Sequence, residues 1–330
     1  MEEIEISGSG LRLHSVPDLC APSGGEVQIR VASAGVNRAD LLQKQGKYPP
    51  PPGAPETLGL EVSGVVVATG PDQSEWHVGD HVMALLSGGG YAQYVNVDAG
   101  LVMPVPRGVD LIDAGGLPEA LVTAYTNLVL EARLSAGEVA LIFGASGGVG
   151  SVGVQIAKAV GATVLATAGS QERAAQVREL GADAVCNYRD LTDERALGEW
   201  VMRETRGHGA DVVLDVLAGS ALDSTLRALA TRGRIAIIGT QAGSVGSFSV
   251  MRLMGRRATI MGTTLRSRPL EERRALMERV RTHVLPMVER GDVHPVIRLK
   301  MPLFEAERAH EALEAGEVFG KAVLIVEEEH

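Results

Sequence analysis

The chain has 330 residues, enough for two domains with separate cores, and 45% of them are apolar while only 3% are aromatic. Its net charge of −10 argues against a protein that grips nucleic acid by the phosphate backbone. No apolar run approaches the ~20 residues of a membrane-spanning helix, and the N-terminus lacks the basic-then-apolar pattern of a secretory signal. Cys20 and Cys186 are the only cysteines, too few for a disulfide framework or a cysteine-built zinc site, so a reducing cytoplasm is the expected setting.

Residues 1 to about 110 read as β structure. Glu26 to Ala34 and Val62 to Ala68 alternate polar and apolar positions, and Gly88 to Val95 reads as a glycine turn entering a strand. Between the first two lies Gly35 to Glu61, whose five prolines from Pro49 to Pro55 forbid regular ladder pairing and imply a loop carried on a rigid scaffold. A helix over Leu117 to Leu130 follows.

Val139 to Phe143 is a continuous apolar run, as expected of a parallel strand buried on both faces. From Val149 the apolar residues Val152, Ile156 and Val160 recur at helical spacing, Gly161 offers a left-handed cap, and Thr163 to Thr167 is a second strand. The turn of this βαβ unit, Ala145, Ser146, Gly147, Gly148, Val149 and Gly150, is a candidate cradle for a dinucleotide pyrophosphate at a helix N-terminus. Gly147 would let backbone approach the pyrophosphate and Gly150 would let the helix pack on the strand, whereas Ala145 replaces the first glycine of the usual fingerprint. A tight turn without a ligand is the competing account.

About 20 residues past the glycines, an NAD site places an acid on the ribose 2′-hydroxyl. Thr167 to Ser170 contains none. Ser170 can cap the next helix, which puts Arg173 in the first turn, where a cation opposes the helix dipole unless an anion such as a 2′-phosphate is present. The pattern favours NADPH, against the alternative that Arg173 is an ordinary surface residue beside Glu172. Further alternation follows: helices at Glu172 to Leu180, Glu194 to Thr205 and Leu222 to Leu229, and strands at Ala184 to Asn187, Asp211 to Val216, Arg234 to Ile238 and Ala258 to Met261. Six strands separated by helices make an α/β doubly wound sheet. A long charged helix over Leu270 to Val288, a helix over Glu305 to Ala315 and a strand over Lys321 to Val326 complete the chain. The histidines show no ligand spacing, so no metal is expected.

GVNRADLLQKQGKY, the proline loop, GLEVSGVV, GGGYAQYV, LPEALVTAYTNL, GASGGVG and the CNYR segment together resemble the zinc-independent quinone oxidoreductases of the medium-chain dehydrogenase/reductase superfamily. AGSQ at Ala168 to Gln171 and LRSR at Leu265 to Arg268 are most similar to the subgroup of tumour-suppressor-inducible NADPH quinone oxidoreductases and their bacterial relatives. The resemblance implies a GroES-like β domain over residues 1–120 and 303–330, a six-stranded Rossmann domain over 121–302, and a homodimer made by pairing the last Rossmann strands. Zinc-dependent relatives have a cysteine at the position of Asn37 and a histidine at that of Leu60, so a metal-polarised mechanism is not expected. The implied activity is NADPH-dependent reduction of a small quinone without metal; the alternatives are an enoyl or alkenal reductase and a nucleotide-binding protein with little catalysis.

The resemblance also implies site residues, each with a plainer alternative. Asn37 and Tyr48 would line the substrate cleft, or else fix a loop turn and pack on prolines respectively. Thr123 would lie near the nicotinamide ribose or phosphate, or else bond helix backbone. Tyr188 and Arg173 would flank the adenosine 2′-phosphate, with a buried tyrosine at a strand end as the other account of Tyr188. Gly239 and Phe319, Gly320 and Lys321 would face the carboxamide end through their backbone, or else be ordinary strand termini.

Overall fold

A computed structural model describes residues 1–8 and 10–326. The chain divides into two compact units, one made of Met1–Val122, Leu265–Arg290 and the chain from His294, the other of Thr123–Thr264 and Gly291–Val293. The expected division at residues 121 and 303 differs chiefly in the placing of 265–290.

In the first unit β1 (Glu2–Ser7) and β2 (Gly10–Ser15) form an antiparallel pair. The larger sheet is built on β3 (Glu26–Val36), β4 (Glu61–Thr69), β5 (His81–Leu85), β6 (Tyr94–Asp98) and β7 (Val102–Pro104). β3 alternates half-buried and buried positions through Ser33 and is buried from there to its end, so the expected alternation holds where one face is open and stops where both are covered. The stretch expected to be loop contains a short helix, α1 (Arg38–Lys44), which starts where Asp40 accepts the Asn37 N–H at 2.8 Å.

The helix expected over Leu117 to Leu130 changes character part-way. It runs as α2 (Pro118–Tyr125) and then widens over Thr126–Glu131, where the Ala132 N–H reaches back to the Asn127 carbonyl, five residues earlier. The second unit carries β8 (Val139–Ile142), β9 (Thr163–Ala168), β10 (Ala184–Asn187), β11 (Ala210–Asp215), β12 (Leu229–Ile237) and β13 (Thr259–Gly262). They form one parallel sheet in the order β10-β9-β8-β11-β12-β13. Every residue of β8 is buried, and so are Phe143, Leu165, Val213 and Ile235 of the cluster beside it, which is why these strands read as unbroken apolar runs. Connecting helices are α3 (Gly148–Val160), α4 (Gln171–Glu179), α5 (Ala196–Glu204), α6 (Leu222–Ala228) and α7 (Val250–Arg256).

The charged helix expected over Leu270 to Val288 is two helices, α8 (Leu270–His283) and α9 (Leu285–Glu289). Pro286 explains the break, because it has no N–H for the preceding turn and is tolerated only at a new helix start. β14 (Ile297–Pro302), α10 (Ala306–Glu314) and β15 (Lys321–Ile325) return to the first unit, where β15 pairs with β3 and β14.

Gly150 lies on α3 where the helix meets the turn before it. A methyl built there would sit 2.2 Å from the Gly144 carbonyl oxygen, whereas one at Gly153 would meet only side chains, Leu214 at 3.1 Å, Leu128 at 3.7 Å and Ile142 at 3.8 Å. Alanine in a helix interior is otherwise favoured over glycine by about 1 kcal/mol. Gly150→Ala is therefore expected to destabilise by about 1–3 kcal/mol, while Gly153→Ala is neutral or stabilising, as measured by denaturant unfolding.

Candidate functional site

The second unit presents a turn suited to a phosphate. α3 begins after Gly147, which is extended (φ −94°, ψ 176°) and contributes no capping side chain, so no side chain of that residue competes for the first helical N–H groups. Gly144 carries φ +60°, a left-handed conformation natural to glycine, and the following Ala145 N–H donates to the Thr167 carbonyl of β9 at 3.2 Å. The left-handed turn thus belongs to Gly144, which explains how the fingerprint tolerates alanine at 145. Ala145 is buried, while Ser146, Gly147, Gly148 and Val149 are half-buried along the rim.

At the end of β9, Ser170 caps α4 by accepting the Arg173 N–H at 3.2 Å, which places Arg173 in the first helical turn as expected. Tyr188 is 50% exposed, so it is not a buried strand-end tyrosine. Its hydroxyl lies 2.7 Å from where a Gly169 β-carbon would stand. Gly169, Ser170 and Tyr188 are therefore one local group. Thr123 offers its carbonyl to Asn127 Nδ2 at 2.8 Å, and Asn127 Oδ1 accepts from Thr263 at 2.7 Å. Gly239 follows β12 and passes Val216 so closely that a β-carbon would lie 2.9 Å from its carbonyl oxygen.

The first unit holds a buried polar cluster. Lys321 and Glu61, 5% and 0% exposed, form a close ion pair. Lys321 Nζ also donates to Asn37 Oδ1 at 2.7 Å, and Asn37 Nδ2 donates to Glu61 Oε1 at 2.9 Å, which closes a three-membered ring. Glu61 Oε2 accepts the Glu119 N–H at 2.9 Å. Phe319 is buried, and Gly320 has φ +74° with Val296 carbonyl oxygen 2.0 Å from any β-carbon, so glycine is required before Lys321. Asn37 is thus held on both faces of its amide.

Beside this ring, the Asp40 carboxylate accepts from the Asn37 N–H, the Gly59 N–H at 3.2 Å and the Tyr91 hydroxyl at 3.2 Å. Tyr91 lies 3.1 Å from His310 Nε2. Burial pushes Asp40 up to about 6, against the hydrogen bonds that favour its charged form. Burial, reinforced by the Glu61 charge, pushes Glu119 up to about 7. Burial and the charge of Lys44 push His310 down to about 4. Tyr48, half-buried in the proline loop, has its phenol raised by burial and by Glu119. Asn37, Tyr48 and Lys321 were expected here from the sequence, and Glu61, Asp40, Tyr91 and His310 were not; the one available signal was an acid, Glu61, leading a mostly apolar strand.

Residues 148–282 match the family model described as zinc-binding dehydrogenase, and residues 23–107 match the alcohol dehydrogenase GroES-like domain. The chain is 33% identical over 328 residues to a phthioceranic/hydroxyphthioceranic acid synthase of Mycobacterium tuberculosis, covering 98% of this chain but only 15% of that protein. It is 32% identical over 318 residues to the quinone oxidoreductase of Rattus norvegicus, covering 96% of this chain and 94% of that protein. The chain belongs to the medium-chain dehydrogenase/reductase superfamily. Among solved structures, Escherichia coli quinone oxidoreductase complexed with NADPH matches 98% of each chain at 26% identity with a TM-score of 0.85. The CurK enoyl reductase matches 99% of each chain at 26% identity with a TM-score of 0.86.

One matching family model is described as zinc-binding dehydrogenase, but the residues here do not fit zinc. Among the described residues no group of three or more His, Cys, Asp or Glu could hold a metal. Asn37 is committed to Glu61 and Lys321, and Leu60 is a buried apolar side chain.

His310 supplies a pH test. Held neutral in the fold, it contributes stability that is present above its ordinary value of 6.5 and lost as pH falls towards about 4. The stability advantage of the wild-type protein over His310→Gln is expected to shrink by roughly 3 kcal/mol between pH 7 and pH 4 in denaturant unfolding.

Proposed function

We propose that the chain is an NADPH-dependent reductase of small quinones. The observation that carries the coenzyme reading is the end of β9, where Ala168 to Ser170 include no acid, Tyr188 lies against Gly169, and Ser170 caps the helix whose first turn holds Arg173 beside Glu172. An acid there would repel a 2′-phosphate, whereas a cation in a first helical turn and a phenol hydroxyl suit one. The glycine turn, Ala145 to Gly150, takes the pyrophosphate on the amides that open α3. When bound, the coenzyme supplies the hydride that a quinone accepts.

The chain's own residues hold and orient. In this reading residues 121–302 carry the coenzyme, with Thr123 and Gly239 towards its nicotinamide half, and residues 1–120 and 303–330 carry the acceptor. Asn37, locked by Glu61 and Lys321, gives a wall that cannot turn, and the backbone of Phe319 to Lys321 faces the carboxamide. Tyr48 offers its hydroxyl to the acceptor oxygen. A second copy of the chain would pair along the free edge of β13, the outermost strand of its sheet.

Arg173→Ala is expected to weaken NADPH binding about tenfold while leaving NADH nearly unchanged, which corresponds to losing roughly 1.4 kcal/mol of charge-assisted contact. Fluorescence titration of both coenzymes checks this; equal weakening would defeat the 2′-phosphate role.

The likeness to the CurK enoyl reductase favours a second reading, reduction of a conjugated enone or thioester. Hydride then arrives at carbon and a proton must be delivered to the neighbouring carbon. NADPH oxidation with 1,4-quinones, alkenals and no acceptor separates the two. Quinone turnover that survives in Tyr48→Phe with a modest loss supports the first, and alkenal turnover abolished by the same change supports the second.

A further inference from the structure

Tyr48 precedes four prolines, Pro49 to Pro52, none of which has an N–H to anchor it. Arg266 does so from elsewhere in the first unit. Its guanidinium lies over the Tyr48 ring, 5.5 Å from the centroid, its Nη1 donates to the Tyr48 carbonyl at 3.4 Å, and its Nε donates to the Ser87 carbonyl at 2.7 Å. The neighbouring Arg273 differs: it donates to Ser87 Oγ at 2.5 Å and to the Leu85 carbonyl at 3.5 Å and bonds no part of Tyr48.

The charge of Arg266 is unusual. The residue is 5% exposed, has no carboxylate at ion-pair distance among the described residues, and leaves Nη2 buried without a partner. A buried cation without its counter-ion is costly, by several kcal/mol before hydrogen bonds to carbonyls offset part of it. Such a cost is reduced whenever a negative charge appears beside it.

We propose that Arg266 is the positioning residue for Tyr48 in the reduction: it clamps the ring and balances the negative charge left on the phenol when Tyr48 gives up its proton. This rests on the reading of Tyr48 as the group that meets the acceptor. With bound NADPH supplying the electron pair as hydride, the acceptor oxygen would become anionic; the Tyr48 O–H would then break and pass its proton to that oxygen. The phenolate is then reprotonated by water. The groups that act on the phenol are Arg266, which favours its ionised form, and Glu119, which opposes it together with burial.

The test is steady-state turnover of a 1,4-quinone with NADPH across pH, for the wild-type protein, Arg266→Met, Arg266→Lys, Tyr48→Phe and the Tyr48→Phe/Arg266→Met double variant. NADPH binding and thermal unfolding report whether each is folded. Arg266→Met is expected to lower kcat about tenfold, no more than Tyr48→Phe does, with KM little changed, and Arg266→Lys is expected to recover most of that loss by keeping the charge. The alkaline limb of kcat should move to higher pH in Arg266→Met, since removing the cation makes the phenol harder to ionise. In the Tyr48→Phe background the same change should cost little more. Equal losses in both backgrounds, or an unmoved alkaline limb, would overturn the proposal. If Arg266→Met does not fold, Arg266→Lys decides: a folded variant with wild-type kcat and pH profile overturns it. Unchanged turnover in Tyr48→Phe would instead remove the reading of Tyr48, and this role with it, whereas an impaired Tyr48→Phe with silent Arg266 variants removes this role alone.

Discussion

One buried ion pair organises the polar interior of the first unit. Lys321 of β15 and Glu61 of β4 meet with almost no exposure, and the same carboxylate accepts the Asn37 amide and the Glu119 N–H. Four segments distant in sequence are thereby fastened at one point. Taking both charges from water costs several kcal/mol per ion, so the pair is better understood as a specifier than as a gain in stability. A packing that left either charge alone would be strongly unfavourable, which restricts how β15, β4, α1 and α2 can come together.

Burial, more than the pair, governs the acids beside it. Three carboxyl groups, Asp40, Glu61 and Glu119, surround one ammonium, and two of them are raised to about 6 and about 7. Asn37 beside them has no proton to gain or lose near neutral pH. The coenzyme turn of the second unit works by the opposite means. Gly147 caps nothing, Gly144 bends left-handed, and what is offered to an anion is backbone N–H rather than a titrating side chain. One half of the protein supplies adjustable charge and the other fixed dipoles.

What could be read from the sequence follows the range of the interactions. The βαβ unit was legible because burial on both faces of β8 writes an apolar run, amphipathic packing writes a helical period in α3, and Ser170 caps three residues ahead. Shorter features were blurred: β12 begins at Leu229 rather than Arg234, since Arg232 (φ +66°) and Gly233 interrupt a run that the ladder nonetheless continues. The break at Pro286 was legible in principle and was overridden by the charge periodicity on either side. The buried charges were not legible at all. Lys321 and Glu61 are 260 residues apart, and neither position signals its partner locally.

The same ring explains why the residues here do not fit the metal that the matching family model names. A cysteine thiolate at position 37 would set a second negative charge against Glu61, and a divalent cation would answer both. With asparagine there, one ammonium and one carboxylate already cancel, and the amide spends its Nδ2 on the acid and its Oδ1 on the base. The amide is neutral and its oxygen already accepts from an ammonium, and Leu60 has no donor atom at all. Within the ring the one ammonium is already answered by Glu61, and the buried cation lying against Tyr48 in the first unit is Arg266.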